Sequence, residues 1–227
     1  MKALLRKTIV ILLVLACCSA PGATYADGEP LDALVASIQA TYSAVESFEA
    51  DFTQENYIAP LSQFREFQGK IFLKRPHFFS MEVSSPDYQR LVFVGLFFWV
   101  YTAANEQAMK SSVAPSFLNH PLINLLATMA DLTKTFSIAS VATTATDAFT
   151  LKLTLKEPDT EITEIGLTVE KQAFQVKELI LHYASGNYTR LSLRDSKQNP
   201  DIPPERFQFV PPPGVEVEEN PAPLTRP

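Results

Sequence analysis

Residues 64–101 constrain the fold most, because apolar and aromatic side chains occupy both alternating positions along them. A strand with one solvated face alternates apolar and polar residues. Here Phe72, Phe78 and Phe93 precede the run Phe-Phe-Trp-Val-Tyr at 97–101, so neither face is polar. Both faces of this part of the sheet must therefore be covered. A second sheet could pack on it as in a sandwich, or a barrel-like sheet could enclose an apolar cavity, and composition alone does not choose between them.

The first 26 residues predict a cleaved secretion signal. The segment begins with the basic residues Lys2, Arg6 and Lys7, which are followed by an apolar run at 9–16. Small residues then precede a predicted cleavage point after Ala26. The apolar run is shorter than the roughly 20 residues of a membrane-spanning helix. Cys17 and Cys18 match a lipidation pattern imperfectly, so lipid anchoring at either remains an alternative.

Cleavage after Ala26 leaves a mature chain without cysteine and with a strong acidic excess. Disulfides and thiolate chemistry are then excluded. Basic residues fall from 19 to 16 against 25 acidic ones, a net charge of −9. That charge argues against nucleic acid as a partner and against tight binding to anionic lipid surfaces.

Hydrophobic periodicity predicts one domain over residues 27–215 that is mainly β. Residues 31–45 have the spacing of an amphipathic helix. From Phe48 onward the period changes to two, and alternating segments recur up to Phe207 and Phe209, which predict the last strand. Few glycines and many turn-bounded strands favour a curved antiparallel sheet or open barrel over a doubly wound α/β fold. The acidic, proline-rich residues 216–227 predict a mobile tail.

One short apolar segment interrupts this β pattern. Pro121 suits the first position of a helix whose following residues are apolar over much of its surface, namely Leu122, Ile123, Leu125, Leu126 and Met129. A short helix of this kind is normally buried. It is therefore expected to lie over a sheet face or across an opening.

The sequence offers no reason to predict an enzyme or a cofactor. His77, His120 and His182 are not spaced as metal ligands with one another or with acidic residues. No Gly-x-Ser-x-Gly elbow and no glycine-rich phosphate loop is present.

An ordered set of motifs resembles the periplasmic outer-membrane lipoprotein carrier family (LolA type). The set comprises Phe-x-Ala-x-Phe-Thr-Gln at 48–54, Gly-Lys-Ile-Phe-Leu-Lys-Arg-Pro-x-x-Phe at 69–79, Pro86, Gly-x-x-x-Trp-x-Tyr at 95–101, Gly-Asn-x-Thr at 186–189 and Phe-x-Phe-x-Pro-Pro-Pro-Gly-Val at 207–215. Together they span nearly the whole mature chain. Three positions depart from the family pattern: Val94, where Asp is usual; Met81, which is often aromatic; and the neighbourhood of His182, where an acidic residue is common.

The resemblance implies an unclosed antiparallel β-barrel, a strongly curved sheet whose apolar cavity is covered by an α-helical lid. Arg75 of the Lys-Arg-Pro motif is then the lid latch, the residue that holds the empty form closed by bonding lid backbone. The expected acyl-chain cavity residues are Ile71, Leu73, Phe79, Met81, Trp99, Leu122, Ile123, Leu126, Met129, Leu34 and Ile38.

The resemblance also implies partners. A monomeric periplasmic carrier is expected to accept lipoproteins from an inner-membrane ABC transporter, to bind their acyl chains, and to deliver them to an outer-membrane receptor. Two related functions stay open: a lipid- or polyene-binding protein of the same fold in another export pathway, and an anchored receptor lipidated at Cys17 or Cys18.

Overall fold

The computed structural model describes residues 31–76, 78–94, 97–112, 129–141, 146–157 and 161–220, with only the backbone of Val94, Ala130 and Asn220. The predicted signal, most of the predicted lid helix and residues 221–227 lie outside these ranges. The chain is mainly β, and its elements are α1 (Leu31–Ser43), β1 (Ser47–Ile58), β2 (Gln63–Lys74), β3 (Phe78–Ser85), β4 (Gln89–Val94), β5 (Phe97–Thr102), β6 (Gln107–Ser112), α2 (Leu132–Thr135), β7 (Phe136–Val141), β8 (Ala148–Leu155), β9 (Ile162–Glu170), β10 (Val176–Tyr183), β11 (Tyr188–Gln198) and β12 (Glu216–Asn220).

All strands join one 12-stranded sheet in the order β12-β6-β5-β4-β3-β2-β1-β11-β10-β9-β8-β7. Two consecutive meanders, β1 to β6 and β7 to β11, are joined where β1 pairs with β11. Neighbours are antiparallel except β12 and β6, which are parallel. The sheet does not close on itself, which confirms the predicted fold class. Neither helix within the described ranges is long and apolar enough to cross a membrane.

Helix α1 packs on the inner face of the sheet through one stripe of side chains. Leu34, Val35, Ile38 and Tyr42 are buried and follow the three- and four-residue spacing of a helix face. Together with inward-facing residues of both meanders they form one continuous apolar cluster, called the inner cluster below. This packing supplies most of the stability of a helix this short.

The outer face of β2 to β5 is covered by the chain that follows β11, not by a second sheet. Ile202 and Phe207 bury Phe72 in a separate apolar cluster. The ring of Phe209 lies 5.3 Å from that of Trp99. This covering explains why residues 64–101 are apolar on both faces, and no sandwich forms among the described residues.

Arginines attach this segment to the sheet. Arg206 donates from Nη1 to both carboxylate oxygens of Glu82, each at 3.0 Å. Arg90 donates to the carbonyls of Glu205 and Arg206, both at 3.2 Å. The outer covering is therefore held by polar contacts at its edge and by ring packing at its centre.

The predicted last strand at Phe207 and Phe209 is wrong. Residues Pro204–Phe207 form a 3₁₀ turn, and Phe209 lies outside any strand. Pro203 and Pro204 lack the backbone N–H that a ladder requires, which opposes strand pairing here. The alternating phenylalanines instead reach the outer-face aromatic side chains.

The predicted domain boundary after Val215 is also wrong. Glu216–Asn220 form β12, which pairs with Gln107–Ser112 of β6. Lys110 Nζ lies 3.2 Å from Glu219 Oε1 across this pair. Unpaired backbone groups along an edge strand favour such pairing regardless of side-chain hydrophobicity. The polar composition of both strands gives no hydrophobic periodicity that would predict them.

Candidate functional site

Four of the predicted cavity residues face inward on β2 and β3. Ile71 is directly opposite Met81, and Leu73 is directly opposite Phe79. Ile71, Leu73 and Phe79 are buried, Met81 is half-buried, and all belong to the inner cluster. Cross-strand partners lie within about 5.5 Å at their Cβ atoms, so the four make one continuous apolar surface.

The inner cluster also contains the predicted residues of α1 and one residue of the segment before α2. Leu34, Ile38 and Met129 are all buried, and Ile38 has no exposed surface. Met129 begins the 3₁₀ turn Met129–Asp131. Leu122, Ile123 and Leu126 lie outside the described residues, so their role as a lid stays a prediction.

The assignment of Trp99 to the cavity is wrong. Trp99 lies directly opposite Val92, and its ring packs against Phe209 on the outer face. Its neighbours Phe98 and Val100 belong to the inner cluster instead. Successive side chains of a strand point to opposite faces, so only every second residue of β5 can face inward. The sequence could not tell which of the two alternating sets this was, because both are apolar.

The second meander forms the other half of the inner wall, which sequence reasoning left out of the site. Its strands showed clear alternation, and that signal identifies the inward residues correctly. Each is buried and joins the same cluster: Leu151, Leu153, Ile165, Leu167, Leu179, Leu181, Leu191 and Leu193.

Arg75 lies in the turn between β2 and β3 and holds the end of α1. Its Nη2 donates to the Tyr42 carbonyl at 2.9 Å, and its Nη1 donates to the Ser43 carbonyl at 3.2 Å. Its backbone N–H donates to the Glu46 carbonyl at 2.8 Å. The last carbonyls of a helix have no intrahelical donor and carry partial negative charge, so a guanidinium stabilises them.

Tyr42 connects the same helix end to the second meander. Its hydroxyl accepts a hydrogen bond from the Val176 backbone N–H at 3.0 Å. Burial raises the pKa of this hydroxyl, and the bond from Val176 only partly opposes the rise. Tyr42 therefore stays neutral at physiological pH and links α1 to the start of β10.

Asn199 fixes the connection between α1 and β1, and sequence reasoning missed it. Its Oδ1 accepts from the Glu46 N–H at 2.7 Å and, more weakly, from Ser47 at 3.4 Å. Its Nδ2 donates to the Ala44 carbonyl at 3.0 Å. The dipeptide Asn199-Pro200 is a turn signal that could have drawn attention to it. Arg75 and Asn199 thus hold the 42–47 segment through its backbone, from two directions.

Replacing Asn199 by glycine is expected to lower the free energy of unfolding by about 1–3 kcal/mol, because three hydrogen bonds to the backbone of the 44–47 segment are lost and each contributes about 0.5–1.5 kcal/mol. Asn199 has φ of 56°, which glycine adopts without strain, so the change isolates the side-chain bonds. Urea unfolding gives the value. Asp195→Gly is the matched control, since Asp195 lies in β11, four residues before Asn199, and has φ of 50°. Equal stability of the two variants would contradict this role for the amide.

A pocket of about 350 Å³ opens between α1 and the start of β7. Its apolar walls include Leu31, Val35, Phe136 and Ile138, and Lys156 lies at its polar side. Phe136 and Ile138 also touch the inner cluster. The apolar interior therefore approaches the surface beside the edge strand β7. Within the described residues, no group of His, Cys, Asp and Glu side chains is arranged to hold a metal.

Comparison with known proteins gives one family. Residues 43–210 match the family described as "Outer membrane lipoprotein carrier protein LolA". The outer-membrane lipoprotein carrier protein of Chromohalobacter salexigens is 28% identical over 180 residues, covering 79% of this chain and 84% of that protein. The protein of the same description from Erwinia tasmaniensis is 25% identical over 216 residues, covering 95% and 99%.

A solved structure shares the fold. An uncharacterized conserved protein from Thermus thermophilus superposes with a TM-score of 0.51 at 11% identity, covering 84% of this chain and 99% of the other. At this identity the similarity concerns the arrangement of the backbone alone.

Proposed function

Because this chain belongs to the outer membrane lipoprotein carrier protein LolA family, we propose that it is a periplasmic carrier that binds lipoprotein acyl chains in an apolar cavity. It accepts its cargo from an inner-membrane ABC transporter and delivers it to an outer-membrane receptor. The family is one of carriers, not of enzymes. The predicted signal over residues 1–26 is the sequence feature that supports the periplasmic location.

The observation that most supports acyl binding is the apolar inner face shared by both meanders and α1. Each methylene moved from water into such an environment contributes ~0.8 kcal/mol. Several long acyl chains therefore represent tens of kcal/mol against water by the same reckoning. Release of the acyl chains into solvent would cost too much free energy, so in the proposed function they pass directly from one apolar cavity to another.

A carrier must also let its cargo go, and the contacts of Arg75 support a mechanism. In the proposed cycle, cargo displaces α1 from the inner face and breaks the bonds from Arg75 to the Tyr42 and Ser43 carbonyls. Re-forming these bonds on release offsets part of the free energy of acyl burial. Arg75 and α1 then act as the latch and one part of the lid.

Binding of a synthetic tripalmitoylated lipopeptide tests the proposal without a transporter. The chain is expected to keep this lipopeptide soluble as a one-to-one complex, measured by size-exclusion chromatography, and to leave the deacylated peptide unbound. Acyl burial is the proposed source of affinity, so the acyl groups must decide the outcome. If the two peptides bound equally, or neither bound, the carrier proposal would fail.

Two further measurements separate the alternatives. Intact mass of the protein recovered from the periplasm of a Gram-negative host is expected to give an N-terminus at Asp27 without added lipid. A lipid-modified Cys17 or Cys18 would indicate the anchored receptor instead. Lipid mass spectrometry of co-purified material distinguishes lipoproteins from the polyenes or free lipids of another export pathway.

A further inference from the structure

The β1–β2 hairpin ends in an exposed apolar tip that the carrier cycle leaves unused. Leu61 and Phe64 are each 58% exposed. Residues 57–64 read Tyr-Ile-Ala-Pro-Leu-Ser-Gln-Phe and carry no charge. The tip lies at the end of β1 opposite the 42–47 segment, so it is remote from Arg75.

Aromatic rings on the outer face support this tip from behind. Tyr57 lies directly opposite both Phe64 and Tyr188, with ring centroids 4.9 Å and 5.2 Å away. The Tyr188 hydroxyl donates to Glu55 Oε1 at 3.0 Å. The packed rings of this cluster therefore lie next to the tip, while the Tyr188 hydroxyl is hydrogen-bonded to a residue further along the sheet.

The tip also has a defined conformation. Ala59–Leu61 form a 3₁₀ turn closed by the Ser62 N–H, which donates to the Ala59 carbonyl at 3.1 Å. The Ala59 N–H donates to Asn187 Oδ1 in the neighbouring β10–β11 turn at 2.9 Å. These bonds join the two turns, so the exposed side chains are held outward by a fixed backbone.

Glu55, the acidic residue of β1 nearest the tip, is paired, which lowers the cost of bringing this part of the hairpin to an apolar surface. Glu55 Oε1 accepts from Arg190 Nη1 at 3.0 Å as well as from Tyr188. Arg190 Nε also lies 3.5 Å from Glu178 Oε2. Contact through the tip therefore leaves no carboxylate of this group without a partner.

We propose that residues 57–64 insert reversibly into the interfacial region of a lipid bilayer. Tyrosine, with an apolar ring and a polar end, is enriched at membrane–water interfaces. A stable protein interface needs about 800 Å² from each partner, far more than two side chains on a hairpin tip offer. The net charge of −9 argues against attraction to anionic lipid, so the contact is apolar, weak and insensitive to salt.

The inference goes beyond acyl binding and does not depend on it. A carrier that works between two membranes gains from brief contact with each, and a weak apolar contact permits departure. The inner face binds cargo in the proposed function, whereas no residue of the tip belongs to the inner cluster. Each can therefore fail experimentally without the other.

Tryptophan fluorescence of cargo-free protein tests the tip directly. The chain has one tryptophan, so Leu61→Trp in a Trp99→Phe background reports only on the tip. With vesicles of phosphatidylcholine we expect a blue shift and quenching by brominated acyl chains, unchanged when salt is raised. Val210→Trp in the same background is the matched control, since Val210 is 82% exposed on the C-terminal segment.

Loss of the tip is expected to abolish vesicle binding without affecting acyl binding. Leu61→Asp with Phe64→Asp should lower co-flotation with these vesicles at least tenfold, and the milder Leu61→Ser should lower it less. Circular dichroism verifies folding, and binding of the tripalmitoylated lipopeptide should not change. Absence of quenching at residue 61, equal quenching at residue 210, or binding only to anionic vesicles at low salt would each overturn the proposal. Binding of a protein to the tip, without any binding of vesicles, would also overturn the proposal.

Discussion

Gly69→Ala is expected to lower the free energy of unfolding by about 3 kcal/mol or more, at or above the upper end of the usual cost of overpacking. A Cβ at residue 69 would lie 1.8 Å from the Glu82 carbonyl oxygen and 2.9 Å from the Val83 Cα. Both are backbone atoms, so no side-chain rotation relieves the clash. Strands β2 and β3 would have to separate where the register already shifts, between Gln68 and Gly69.

Gly166→Ala is the matched control for this substitution. A Cβ at Gly166 would meet Ile180 at 3.7 Å, an ordinary contact, and Gly166 also lies in a strand. Its free energy of unfolding should stay within about 1 kcal/mol of the original protein. Thermal unfolding by circular dichroism measures both variants, with a decrease in Tm of roughly 6–12 °C expected for Gly69→Ala only. A decrease in the Tm of Gly69→Ala below 2 °C would contradict the prediction, because it would mean that β2 and β3 separate at little cost in free energy.

Arg75→Leu is expected to fold and to bind cargo but to transfer it roughly tenfold more slowly. The lost bonds to the Tyr42 and Ser43 carbonyls involve a charged donor, for which about 1.5–3 kcal/mol each is usual. Partial solvent exposure lowers that figure, and about 1.4 kcal/mol already corresponds to a factor of ten. In the proposed cycle these bonds favour the cargo-free state, so their loss shifts the balance toward retention.

Transfer of a fluorescent tripalmitoylated lipopeptide to excess acceptor protein measures this effect. Arg90→Leu is the control, because Arg90 also donates to two backbone carbonyls, those of Glu205 and Arg206, but on the outer face. It should destabilise the C-terminal segment and leave transfer unchanged. Transfer by Arg75→Leu at the original rate, or an equal effect of both substitutions, would limit Arg75 to a structural role at the end of α1.

The residues of the inner wall were predictable in every strand where one of the two alternating sets of side chains is polar. Leu151 and Leu153 alternate with Lys152 and Thr154, and both leucines are buried as that pattern predicts. Along β5 the pattern fails, because Phe98 and Trp99 are equally apolar while only Phe98 faces the inner cluster. The direction of Trp99 depends on Phe209, more than 100 residues later in the chain.

Long-range backbone contacts account for the remaining differences. Asn199 bonds to Glu46 across a separation of 153 residues, and β12 pairs with β6 through main-chain groups that any sequence possesses. Neither contact has a periodic signature. Gly69 likewise appears as an ordinary strand glycine until Glu82 is placed beside it.

Periodicity and motif order alone determined that this chain is a mainly β protein with an amphipathic helix near its start and an Arg75-Pro76 turn between two apolar strands. These properties depend on spacing within one element, where chain geometry imposes periods of two or 3.6. Tertiary structure decided which apolar face became the inner wall, what covered the other face, and which exposed residues formed the hairpin tip. Those outcomes depend on surface buried between distant segments, which no local pattern records.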